Sequence, residues 1–126
     1  MRPYKESPMN RNLLLASCLL AACSLGSETS DLSSPQISID APLPNATVGG
    51  QVTIALTVTD DFGVDQVRIL IDDTERAKLF TPPFGFIWNT VQLADNSTHV
   101  IKVEATDING NVGIKSITVT VQNGPQ

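Results

Sequence analysis

Side chains able to do chemistry are few in this 126-residue chain, and their positions limit what it can do. There is one histidine, His99, and two cysteines, Cys18 and Cys23, both near the N-terminus. A zinc centre needs three or four His, Cys or carboxylate ligands, and a thiol nucleophile needs an adjacent base; neither set can be assembled. No glycine-rich phosphate loop is present. His99 heads an apolar-alternating run with no acidic neighbour in sequence, which points to packing and a backbone hydrogen bond, not proton transfer. Glu104 and Asp107 lie three apart on a run of period two, so they project to opposite faces and cannot flank one glycosidic bond. The expectation is a non-catalytic chain that uses no cofactor, calcium aside.

The thiol of Cys23 is the strongest chemical signal. Leu13 to Ala22 is an apolar run preceded by Arg11. A bilayer-spanning helix needs about 20 such residues, so the run suits a secretory leader and is too short for an anchor helix. It ends in Leu20-Ala21-Ala22-Cys23, which resembles the lipobox of bacterial lipoproteins. That resemblance implies cleavage before Cys23 and acylation of its sulfur. A second match ending at Cys18 would leave too short an apolar core upstream. Pro3, Glu6 and Pro8 suit a leader poorly, so either Met1 or Met9 can be the start. The expected organisation is a signal at 1–22, a tether at 23–34 carrying lipidated Cys23, a domain at 35–122 and a tail at 123–126.

Removing the leader leaves five Lys and Arg against twelve Asp and Glu. So acidic a chain has no electrostatic grip on nucleic acid. Ser24 to Ser34 is small, polar and aperiodic, and as a flexible coil it spans about 18 Å. The lipid anchor implies an extracytoplasmic, membrane-bound protein of the cell envelope, on the outer membrane in a diderm cell. With no second cysteine in the cleaved chain, the domain must stand on burial alone.

From Pro35 on, the dominant period is two. Val52, Ile54, Leu56 and Val58 alternate with Thr53, Ala55, Thr57 and Thr59. The same holds for Ile37 and Ile39, for Val67, Ile69 and Ile71, for Ile101, Val103 and Ala105, and for Ile117, Val119 and Val121. Phe84, Phe86 and Trp88 share one parity. Pro42-Leu43-Pro44-Asn45, Gly49-Gly50, Asp60 to Gly63, Thr81-Pro82-Pro83, Asp95-Asn96-Ser97 and Asn109-Gly110-Asn111 mark the turns. Short strands with one apolar face each bury those faces by stacking two sheets. The fold class expected is all-β, a Greek-key β-sandwich of about seven antiparallel strands, with the charged stretch Thr74 to Phe80 as an exposed edge.

The runs Val48 to Ile54, Thr59 to Val67, Pro83 to Thr90 and His99 to Asp107, with Gly110-Asn111, resemble bacterial immunoglobulin-like domains. The resemblance covers Pro35 to Val121. It departs from the usual pattern at Asn89, where aspartate is common, and at Asp95-Asn96, where glycine is. It implies the sandwich, and it implies a binding, adhesive or accessory role whose partner is an envelope protein or a glycan.

In such a sandwich the loop bearing Asp60, Asp61 and Asp65 and the loop bearing Asp107, Asn109 and Asn111 share one end. Six oxygen-bearing side chains could then converge on calcium, which takes six to eight oxygens. The same residues also suit turns, Asp and Asn capping backbone N–H groups and Asn109-Gly110 supplying positive φ. Trp88, Phe84 and Phe86 likewise allow two readings, a sugar-stacking face or a core strand. The scarcity of other aromatics favours the core.

Overall fold

The computed structural model describes residues 32–124. The leader 1–22, Cys23, the tether up to residue 31 and the last two residues of the tail lie outside the described residues.

Eight strands make up the regular structure of the described residues: β1 Gln36–Ala41, β2 Thr47–Val48, β3 Gln51–Thr59, β4 Val64–Ile71, β5 Thr74–Leu79, β6 Phe84–Asn89, β7 Ser97–Asp107 and β8 Val112–Val121. They form a three-stranded sheet ordered β1-β3-β6 and a five-stranded sheet ordered β2-β8-β7-β4-β5. This is the expected immunoglobulin-like sandwich. The eighth strand is β2, two residues paired parallel to the end of β8, too short to leave a period in the sequence.

Alternation selects the inner faces. In the smaller sheet Val52 pairs with Trp88, Ile54 with Phe86 and Leu56 with Phe84. In the larger, Val67 pairs with Ala105, Ile69 with Val103 and Ile71 with Ile101, and Ile101 in turn with Ile117. These rows face one another. Ile54, Val67, Ile69, Ile101, Val103, Val119 and Val121 are wholly buried, each full burial contributing about 1.5–3 kcal/mol. Leu70 departs from the parity. It is 6% exposed without joining the core cluster; it follows a register shift against β5 and lies opposite Glu75 and Lys102.

The turns set where the ends of the sandwich lie. Asp72 and Asp73 take φ values of 51° and 68°, making the two-residue hairpin between β4 and β5. Asn45 and Asn96 also take left-handed φ, so asparagine does at position 96 what a glycine would. Between β7 and β8 only Gly110 is left-handed, at +90°. The expected pair of positive angles at Asn109-Gly110 is therefore not formed, because the connection has four residues, Ile108 to Asn111, and closes differently. At the same end β1 starts against β8. A Cβ on Gly113 would sit 2.3 Å from the carbonyl oxygen of Pro35.

Candidate binding surfaces

The outer face of the larger sheet carries a ladder of charge. Arg68 on β4 donates from Nε to Glu75 on β5 at 2.7 Å and from Nη1 to Glu104 on β7. Lys102 reaches Asp73 at 3.0 Å and Glu104 at 3.9 Å. The hydrogen bond from Arg68 holds the Glu75 carboxyl below its usual range. On the smaller sheet the Thr57 hydroxyl, followed by that of Ser38, does the same to Asp40. These exposed pairs keep both faces solvated and add little stability.

His99 has partners that sequence proximity could not reveal. Its Nδ1 lies 2.6 Å from Oδ2 of Asp72, and its Nε2 lies 2.8 Å from Oγ of Ser97. The pairing of β4 with β7 brings Asp72 to it from 27 positions away. The expected backbone hydrogen bond is replaced by these side-chain contacts, and the ring packs edge-on to Trp88 with centroids 5.6 Å apart.

The order Ser, His, Asp matches that of a hydrolytic triad, but the serine hydroxyl is engaged by the backbone. Ser97 donates its hydroxyl hydrogen to the carbonyl of Ala94 at 2.5 Å. A hydroxyl hydrogen so engaged is not the one a nucleophilic serine must give to the imidazole. The cluster is a clasp that ties the β4–β5 turn to the head of β7. Burial, the largest influence on the Asp72 carboxyl, raises its pKa. The bonds from His99 and the Val100 N–H, with the charges of His99 and Arg76, outweigh this and leave it below the ordinary 3.8. A depressed pKa stabilises the fold above the ordinary value, and that contribution is lost as pH falls through the folded-state value. An acid titration of stability should therefore be shallower below about pH 3.8 for Asp72→Asn than for the parent chain. Parallel curves would contradict the clasp.

At the opposite end the two acidic loops meet, with the Ile108 N–H donating to the Gly63 carbonyl at 3.1 Å. Asp60 Oδ2 accepts from the N–H groups of Phe62 and Gly63 at 3.0 and 3.1 Å. Asp107, 1% exposed, accepts from the N–H groups of Asn109 and Asn111 at 2.8 and 2.9 Å and from the Asn111 amide at 2.9 Å. Asp61 is exposed beside Asp60, and Asp65 is the exposed extra residue of a register shift between β4 and β7. Among the described residues no three His, Cys, Asp or Glu side chains form a group able to hold a metal. Asp60 Oδ1 is buried without a hydrogen-bond partner among the described residues.

The aromatic residues divide. Trp88 and Phe84 are 2% and 7% exposed and belong to the core, with Phe86 packed against it. Phe62 and Phe80 are 50% and 60% exposed. Phe80, Pro82 and Pro83 wall a groove of about 390 Å³ whose floor is Leu56, Val58, Val64 and Phe84. No charged side chain lines it. Sequence parity singled out Phe84 but not Phe80, which follows β5; the adjacent prolines were the signal that the chain leaves the sheet there and exposes the ring.

Residues 35–103 match the family model of the bacterial Ig domain, and the chain belongs to that family. Among solved structures it is similar to the fibronectin(III)-like modules of Clostridium thermocellum CbhA, with a TM-score of 0.61 and 22% identity over 71% of this chain and 100% of that one. It is also similar to part of an endo-β-1,4-mannanase from Thermotoga petrophila, with a TM-score of 0.60 and 17% identity over 82% of this chain and 23% of that one. A third likeness is to Bacteroides ovatus SGBP-B, of a mixed-linkage glucan utilization locus, solved with a mixed-linkage heptasaccharide. Its TM-score is 0.53, with 18% identity over 76% of this chain and 26% of that one. The chain thus spans about a quarter of the length of the last two. No curated protein matches it by sequence at a significant level.

Proposed function

We propose that this chain acts without catalysis, as an immunoglobulin-like module held at the cell envelope by lipid on Cys23, and that it grips an envelope partner at the groove beside Phe80. One observation carries the reading: Phe80 stands 60% exposed over an uncharged groove. Each Å² of apolar surface left in water forgoes about 25 cal/mol, so a partner that covers the ring recovers that free energy. Lipid on Cys23 would hold the chain at the membrane, where local concentration favours weak binding. The first partner class is an envelope protein presenting an apolar side chain.

The second is a glycan, whose C–H faces stack on aromatic rings. The exposed ring and the uncharged groove would serve this class as they serve the first. Phe80→Ala tests the surface common to both. Because the ring is exposed, folding stability should change by no more than about 0.5 kcal/mol. Retention of the full chain on isolated cell envelopes should fall about tenfold, the equivalent of about 1.4 kcal/mol. Undiminished retention would remove the groove from the account.

A further inference from the structure

The chain does not leave the sandwich where β8 ends. Beyond Val121, at the end of the fold away from the acidic loops, Asn123 reaches across to two neighbouring segments. Its Oδ1 accepts from the Gly50 N–H at 2.7 Å and lies 3.2 Å from the Thr90 hydroxyl oxygen. Its Nδ2 donates to the Thr90 carbonyl and, at 3.5 Å, to that of Leu93. One amide thus joins the turn before β3 to the loop after β6. It also helps to satisfy Thr90, which is wholly buried and whose polar atoms would cost free energy without partners.

Asp95 fixes the backbone at the same place. Its Oδ1 accepts from the N–H groups of Asn123 and Gly124, the latter at 3.0 Å. Its Oδ2 would lie 2.4 Å from a Cβ at position 124, so a side chain there would push Asp95 off both N–H groups. The packing therefore asks for glycine after Asn123. Asn-Gly is also a dipeptide open to spontaneous deamidation, because glycine has no side chain to shield its nitrogen. In that reaction the Gly124 nitrogen loses its proton to solvent and attacks Cγ of Asn123. The new N–C bond closes a cyclic imide, and the side-chain nitrogen leaves as ammonia. Water then opens the ring to aspartate, or to its isomer, in which the chain runs through the side-chain carbonyl. The folded end opposes the attack at both atoms: Asp95 holds the Gly124 N–H, and Thr90 and Leu93 hold the amide nitrogen.

We infer that Asn123 is a one-way latch and a site of modification. It holds this end of the sandwich shut, deamidates when the end opens, and once converted no longer closes it. An aspartate at position 123 lacks the donors to Thr90 and Leu93 and sets a carboxylate oxygen against their carbonyls. The isomer adds an atom to the backbone and displaces the Gly124 N–H from Asp95. Either product leaves the Thr90 carbonyl short of a donor, so the modified chain keeps a record of having opened.

Peptide mapping by mass spectrometry of the full chain, aged at neutral pH in buffer and in urea, tests this. Conversion at Asn123 should be at least about tenfold slower in buffer, since it waits on local opening. Asp95→Ala releases the Gly124 N–H and should bring the rate in buffer toward that in urea, with the circular dichroism spectrum unchanged. Asn123→Asp, which has the shape of one product, should melt about 5 °C or more below the parent chain. Equal rates in buffer and urea, a rate indifferent to Asp95→Ala, or an Asn123→Asp chain that melts with the parent would overturn the inference. Should a variant fail to fold, the aged parent decides. Molecules converted at position 123 alone, separated by charge, should melt below unconverted ones, and identical melting would exclude the latch.

Discussion

Trp88→Ala should remove about 3–5 kcal/mol of folding stability, a large share of the roughly 5–10 kcal/mol available to a domain of this size. The indole is 2% exposed and lies between the sheets, opposite Val52 in the β3–β6 pairing and edge-on to His99 of the facing sheet. Its removal opens a cavity in the hydrophobic layer between the sheets and frees one wall of the histidine clasp. A denaturant titration reads the loss. In the parent chain this single tryptophan should emit at a blue-shifted wavelength and ignore soluble glycans, since its ring touches protein on every side. A loss below about 1 kcal/mol would contradict the packing described.

Asp107→Ala should cost about 2–4 kcal/mol. The carboxylate is 1% exposed and accepts the Asn109 and Asn111 N–H groups and the Asn111 amide. With alanine the four-residue turn keeps those donors and loses their acceptor. Asp107→Asn preserves the shape while offering one accepting oxygen in place of two, and should lose less. Melting curves in calcium and in chelator should give the same loss, because the turn's own hydrogens occupy the carboxylate. A loss that appears only when calcium is present would contradict this and restore a metal role for Asp107 with Asp60.

How much of this was legible follows from range. Alternation in β3, β7 and β8 is a local property, so the two layers and most of the core could be read directly. The two-residue β2 is too short to alternate. The β4–β5 hairpin turns on Asp72-Asp73, where a two-residue turn more often carries glycine and so signals itself. The histidine clasp depends on strand pairing that places Asp72 beside His99, a contact that residue spacing does not encode. Leu70 is buried although it stands outside the core cluster, a departure that alternation does not foretell. For the surface, parity assigned Trp88 and Phe84 to the core with good physical reason. It had nothing to say about Phe80, whose exposure depends on how Pro82 and Pro83 carry the chain from one sheet to the other.

The functional account rests on the groove. Ile114 supplies a control for the groove: it is 63% exposed, as open as Phe80, but sits on the outer face of β8. The most direct measurement puts a photoreactive phenylalanine analogue at position 80 or at position 114 of the full chain and irradiates intact envelopes. The account predicts one discrete adduct, protein or glycan, from position 80 and none from position 114. Equal labelling from the two positions, or none from position 80, would contradict it.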